Sequence, residues 1–201
     1  MLELNGKKLI LASSSPRRAQ LLKLLGLDFE VIESNFDEEN DAYTIPEVHV
    51  LELAHKKASK VAEDIKDGLI VGADTIVVLE DQMLGKPTNK DQAKRMLQTL
   101  SGKPHLVYTG FAIIDSASGK AVSHFEKTEV FFRELSESEI DRYVETDNPM
   151  DKAGAYGIQD QSAIFVTKVD GCFYNVVGFP VTKFYIALQA FLNMSLGINS
   201  N

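Results

Sequence analysis

Apolar positions along the chain change their period several times, and each change marks an element. Leu9 to Ala12 is a short continuous apolar run, which predicts a strand ending in the turn Ser13-Ser14-Ser15. Pro16 suits the first position of a helix, where its missing N–H is no loss, and the serines before it are candidate caps. The helix runs to Leu25 and stops at Gly26. Phe29 to Ile32 predicts a second strand, followed by an acidic stretch without period from Glu33 to Tyr43, a candidate loop over a site. Pro46 opens a helix in which Leu51, Ala54, Ala58, Val61 and Ile65 recur at helical spacing and define one buried face. Leu69 to Leu79 is a long run of strand formers.

The second half continues the mixture. Gly85-Lys86-Pro87 is a turn, and Thr88 or Asn89 caps a helix reaching Leu100. Two strands, His105 to Asp115 and Lys120 to Phe132, flank Ser116-Ala117-Ser118-Gly119 as a hairpin. Ser136 and Glu139 form a capping box for a helix through Glu145. Residues 148–159 have no period and read as a second functional loop. A strand over Ala163 to Val169 and a final helix from Pro180 to about Leu192 complete an α/β pattern with a partly antiparallel portion.

Against this pattern one residue stands out. Asp74 lies inside the apolar run Leu69 to Leu79, and a carboxylate buried there unpaired costs several kcal/mol. It therefore requires a cation, a metal, several donors or an opening to solvent. Lys57 can sit at a packed edge by helical geometry: at about 100° per residue it falls about 70° from the centre of its helix's apolar face. Lys56 and Lys60 point to solvent.

The 201 residues are expected to form one domain, 1–201, and 44% hydrophobic with 25% charged residues fits a globular protein. No stretch is long and apolar enough to span a bilayer and the N-terminus lacks a signal-peptide pattern, so the expected location is the cytoplasm, with no membrane partner. A formal net charge of -8 argues against binding a nucleic acid polymer. The single cysteine, Cys172, excludes an intramolecular disulfide and reads as a small packed residue. His49, His55, His105 and His124 lack metal-ligand spacing and are read as surface or core residues outside the site. The turn at Ser13 to Arg18 does have chemistry: helix amides, the positive end of the helix dipole and two arginines suit a phosphate.

Five segments in order carry a resemblance: Ala12-Ser13-Ser14-Ser15-Pro16-Arg17-Arg18, Gly72-Ala73-Asp74-Thr75, Gly85-Lys86-Pro87, Asp151 to Gln159, and Tyr174 to Pro180. On these the chain resembles the Maf family of nucleotide pyrophosphatases. The resemblance implies a mixed sheet flanked by helices, similar to the inosine triphosphate pyrophosphatase (Ham1) fold, in two lobes with a cleft between. It implies hydrolysis of a nucleoside triphosphate to the monophosphate and pyrophosphate with a divalent metal, Mg²⁺ or Mn²⁺. The form Ala155-Tyr156-Gly157-Ile158-Gln159 resembles the branch acting on dTTP and UTP, including modified pyrimidine nucleotides, a house-cleaning activity. A homodimer is the assembly the resemblance suggests.

Roles carried over by motif position make Asp74 the proton acceptor, with Arg17, Thr75 and Gln159 linked to substrate choice. Arg17 is preferred to Arg18 on this ground. Ser13, Lys57 and Lys86 are expected to hold phosphate oxygens, and Glu38 with Asp74 to hold the metal. The register of Asp37-Glu38-Glu39 is open. Two other functions use similar parts. A nucleotidyltransferase wants a glycine-rich turn that Ser13 to Arg17 lacks, and a nucleotide-binding regulator of cell division or septum formation would bind without turnover.

Overall fold

The protein is described from a computed structural model, which covers residues 3, 4, 6–36 and 44–195. Its strands are β1 (Leu9–Ala12), β2 (Glu30–Val31), β3 (Leu69–Leu79), β4 (Gln82–Leu84), β5 (Pro104–Asp115), β6 (Ala121–Phe132) and β7 (Val166–Asp170). The helices are α1 (Pro16–Lys23), α2 (Pro46–Ala62), α3 (Lys90–Leu100), α4 (Glu137–Val144), α5 (Phe173–Val177) and α6 (Val181–Ser195). The strand order is β2-β1-β3-β5-β6-β7, with β4 paired to β3. β1 is parallel to β2 and β3, whereas β4 and β7 are antiparallel to β3 and β6 respectively. Among the described residues no helix is long and apolar enough to cross a membrane.

Contacts divide the chain into two compact units. The first comprises Met1–Asp74, Gly110–Glu126 and Gly178–Asn201, the second Thr75–Thr109 and Lys127–Val177. β3, β5 and β6 are long enough to contribute residues to both.

In the first unit α2 packs directly onto strand backbone, and two glycines make that possible. A Cβ on Gly72 would lie 2.1 Å from the Ala54 carbonyl oxygen, and one on Gly110 would lie 2.3 Å from that of Val50. This close seat rotates the helix relative to the face expected from its spacing. Val50, Leu53, Ala54, Ala58 and Val61 are the buried positions, and Leu51 stands half-buried beside them. Ala54 and Ala58 pack with Ile10, Ala12, Ile70, Ala112 and Ile114. Phe111, Phe179 and Phe184 form an aromatic cluster in the same unit, with centroids 4.9 to 6.1 Å apart.

The second unit buries α3 and α4 against Val77, Val107, Val130, Phe132, Tyr156 and Phe165. Asn89 caps α3 by accepting from the Gln92 N–H, and the Ser136/Glu139 capping box is present at α4. Inside this core His105 Nε2 lies 2.8 Å from the Tyr156 hydroxyl, and both rings meet Phe132 edge to face. A buried Tyr hydroxyl needs such a partner.

Two expectations are corrected. The strand expected from Ala163 begins only at Val166, because residues 163–165 belong to the 3-10 turn Gln161–Phe165, which the Asp160 side chain caps by accepting from the Ser162 N–H. The short β4 and α5 carry too few residues to show a period. Lys56, expected in solvent, is half-buried and lies 6.0 Å from the Phe36 ring. Cys172 is half-buried, and its N–H donates to Thr128 Oγ1.

Two outcomes are expected. Gly72→Ala and Gly110→Ala each force the α2 backbone away from its strand and should cost about 3 kcal/mol or more by chemical denaturation. Burial pushes His105 down to about 4, against a weaker opposing influence of the Lys103 backbone. Unfolded His105 titrates near 6.5, so between about pH 6.5 and 4 the unfolded chain holds more protons. Stability should therefore fall as pH drops through that window, by at most about 3 kcal/mol, and level off below it. His105→Gln should flatten the fall in denaturation curves taken from pH 6.5 to 4.5, and an unchanged slope would exclude His105 as its source.

Candidate functional site

Side chains on one face of a strand recur every second residue, so the face of β3 that meets α2 at Gly72 meets it again at Asp74. α2 presents Lys57 there. Helical side chains tilt toward the helix N-terminus, and the long Lys57 stem reaches back to place Nζ 2.6 Å from Asp74 Oδ1. Both are nearly enclosed, with side-chain exposures of 12% and 10%. His49, on the same helix, puts Nε2 3.9 Å from the other oxygen, Oδ2.

The charge balance at Asp74 has identifiable sources. Burial alone would push the carboxyl up, but the charge of Lys57 and then of Arg18, with the Lys57 hydrogen bond and a smaller part from His49, outweighs it and holds the acid below the usual carboxylate range. Asp74 is thus an anion at neutral pH, in a setting that would neutralise a carboxyl lacking those cations.

The serine turn is organised differently from the expected helix cap. Ser15 occupies the N-cap position of α1 but makes no side-chain cap bond. Ser13 Oγ accepts from the Ser15 N–H at 3.2 Å and from Arg18 Nη1 at 3.3 Å. Arg18 also donates from Nη1 to the Ala73 carbonyl at 2.8 Å and from Nε to the Gly178 carbonyl at 3.1 Å. Arg18 therefore braces the turn, β3 just before Asp74 and the Gly178-Phe179-Pro180 segment. Arg17 is half-buried on the next position of α1.

The remaining residues belong to the second unit. Thr75 Oγ1 is 2.9 Å from Thr109 Oγ1, and Thr109 donates to the Asn175 carbonyl at 3.1 Å. Since the Thr109 proton is committed to that carbonyl, Thr75 is the donor between the two hydroxyls. Asn175, fully buried, donates to the Val107 carbonyl and to Thr128 Oγ1. This explains the buried polar residue in the Tyr174 to Pro180 segment: it anchors the hydroxyl pair.

Lys86 is exposed on the Gly85-Lys86-Pro87 turn and makes no ion pair among the described residues. Gln159 is exposed at the tip of its loop, and its amide has no protein partner among the described residues. The loop itself is firmly built. Asp160 accepts from the Ser162 N–H at 2.9 Å and the Ser162 hydroxyl at 2.7 Å, pairs with Lys152 at 3.3 Å, and takes the Tyr143 hydroxyl at 3.2 Å. Gly154 and Ala155 both adopt left-handed conformations, at φ of 67° and 61°. For a buried alanine such a conformation costs energy that the surroundings must overcome. The Gly154 N–H donates to the Gly85 carbonyl at 3.0 Å, tying the Gln159 loop to the Lys86 turn.

Of the sequence-derived site residues, the first unit thus brings Ser13, Lys57 and Asp74 into one hydrogen-bonded and ion-paired group through Arg18, while Thr75, Lys86 and Gln159 lie in the second. Glu38 falls outside the described residues. His49, read from the sequence as outside the site, is brought by the seating of α2 to within 3.9 Å of Asp74 Oδ2. Its signal in the sequence is its position on the same helix as Lys57, about 80° away around the axis. Metal-ligand spacing was the wrong criterion for it.

Comparison with known proteins places this geometry. The chain is 52% identical over 185 residues to a dTTP/UTP pyrophosphatase of Bacillus anthracis (strain CDC 684 / NRRL 3495), covering 92% of this chain and 96% of that protein. It is 51% identical over 187 residues to a dTTP/UTP pyrophosphatase of Bacillus cereus (strain ATCC 10987 / NRS 248), covering 93% and 91%. The solved structure of the Staphylococcus aureus Ham1 protein matches with a TM-score of 0.51 over 94% of this chain and all of that one, at 13% identity, which establishes the shared α/β fold. Residues 8–191 match the profile of the family described as Maf-like protein, and the chain belongs to the Maf family.

Proposed function

We propose that this chain is a nucleoside triphosphate pyrophosphatase that hydrolyses dTTP and UTP, with modified pyrimidine nucleotides in its range, to the monophosphate and pyrophosphate. The observation that carries the reading is Asp74, a buried acid kept ionised by Lys57 and Arg18. Such a carboxylate is unprotonated and so able to accept a proton from water, as a weaker base than a free carboxylate. The water oxygen attacks the α-phosphorus, the bond to the α–β bridging oxygen breaks, pyrophosphate leaves, and the water's proton passes to Asp74. Lys57 and Arg17 oppose the charge that develops on the phosphate oxygens.

Asp74 is one hard oxygen ligand, and among the described residues no group of three or more His, Cys, Asp or Glu side chains could hold a metal. A hard carboxylate oxygen fits Mg²⁺ or Mn²⁺. Asp74 and Glu38 would hold it. A bound divalent cation supplies charge neutralisation on the phosphates and acidifies the attacking water.

Gln159 offers a donor and an acceptor on an amide without a protein partner among the described residues, which suits the O4 and N3–H edge of uracil or thymine. The rigid loop beneath it favours selection by a fixed pattern of hydrogen bonds.

Pyrophosphate release from a panel of nucleoside triphosphates with Mg²⁺ or Mn²⁺ should be strong for dTTP and UTP and weak for ATP and GTP. Binding of these nucleotides without release would favour a regulator. Asp74→Asn should fold, bind nucleotide and lose at least about 100-fold in kcat, and substantial remaining turnover would remove Asp74 from the base role. Gln159→Ala should lower kcat/KM for dTTP and UTP by about 10-fold or more relative to an unselective triphosphate, and an equal loss for all would sink its assignment.

A further inference from the structure

Asp74 has neighbours on both of its oxygens, and only one of them enters the function proposed above. Lys57 holds Oδ1 at 2.6 Å, while His49 Nε2 stands 3.9 Å from Oδ2. That separation is longer than a hydrogen bond and too short for an intervening water, so the ring addresses the carboxylate directly. The position of His49 is set by main chain. Its neighbour Val50 is fully buried, with its carbonyl against Gly110, where even a methyl group would not fit. The ring is itself largely enclosed, its side chain 19% exposed.

We infer that His49 is a positioning residue for Asp74, its Nε2–H closing onto the Oδ2 side of the carboxylate when substrate binds, as catalytic contacts tighten in the substrate complex, while Lys57 already holds the Oδ1 side. An acid held at one oxygen can still swing about the bond joining its carboxyl to Cβ. Held at both, it presents a fixed plane. Each carboxylate oxygen has two lone-pair directions, so with Lys57 on one oxygen and His49 closed onto the other, one direction on each is left for the water or the cation. The task needs an N–H at Nε2, so in the neutral ring it requires the tautomer that carries its proton there. A base must lie within hydrogen-bond reach of the proton it takes, and small errors in its direction lower kcat more than they weaken substrate binding.

The inference rests on the base role of Asp74, and the experiment separates the two. Steady-state pyrophosphate release from dTTP is measured for the wild type, Asp74→Asn, His49→Leu, His49→Ala and His49→Gln, with thermal melts of each. His49→Leu and His49→Ala should lower kcat about 10-fold with KM within about 3-fold of wild type, as loss of a partner that orients a functional carboxylate does. His49→Gln places an amide N–H near the position of Nε2 and should restore kcat to within about 3-fold of wild type. A role in packing alone would lower the melting temperature and give no rescue by glutamine. If Asp74→Asn is inactive while His49→Leu or His49→Ala turns over like wild type, or if His49→Gln is as slow as they are, the His49 assignment falls alone. If the wild type releases no pyrophosphate or Asp74→Asn remains active, the base role falls and this assignment falls with it. Should His49→Leu not fold, the comparison of His49→Ala with His49→Gln decides the matter.

Discussion

A carboxylate enclosed by β-strand and helix stays charged only if cations are delivered to it, and the first unit is arranged around that delivery. Lys57 alone supplies both a short hydrogen bond and the largest opposing charge, and Arg18 adds the next largest. Neither would be in place without the approach of α2 to bare backbone at Gly72 and Gly110 and the bracing of the serine turn against Ala73 and Gly178. Removing one partner of such a buried pair strands the other charge, which is far costlier than replacing both with apolar groups. The pair is therefore weak evidence of a need for stability and stronger evidence of a need for an anion at this point of β3.

The second unit solves a different problem, holding exposed polar tips on a stiff base. Asp160 gathers donors from Ser162, Tyr143 and Lys152 beneath Gln159, and the buried His105–Tyr156 contact fixes the chain three residues before it. The left-handed Ala155 sits between Gly154, bonded to Gly85, and Tyr156, bonded to His105. Strain that is clamped on both sides in this way is retained because the neighbouring bonds leave the backbone no alternative.

Much of this was legible in the sequence because it depends on local period. β1, β3, α3 and the β5–β6 hairpin follow from apolar runs, caps and turn residues, and Asp74 was conspicuous as the one acid in an apolar strand. The roles of His49 and Arg18 were not legible. Which side of α2 faces the sheet is decided by which strand residues lack a side chain, and Gly72 and Gly110 lie far from α2 in sequence. Spacing within the helix centres the face on Leu51 and Ala54, while the glycines shift it toward Val50 and bring His49 with it. Arg18 likewise reads as one of two arginines suited to a phosphate, and its bracing role shows only when its three oxygen acceptors, two of them carbonyls remote in sequence, come together. Asp160 gave no sign of delaying the strand expected from Ala163 to Val166, since its effect is a side-chain cap on a turn too short to have a period.

The bond from the Gly154 N–H to the Gly85 carbonyl joins the turn bearing Lys86 to the loop bearing Gln159 through main chain alone. A tie of that kind is blind to the identity of the residues it displays. Mutation can replace the amide at the loop tip while the registry between Gly154 and Gly85 is inherited unchanged. Under the role proposed for Gln159, selectivity would be free to drift over generations at one exposed position, on a frame that does not have to be reinvented each time.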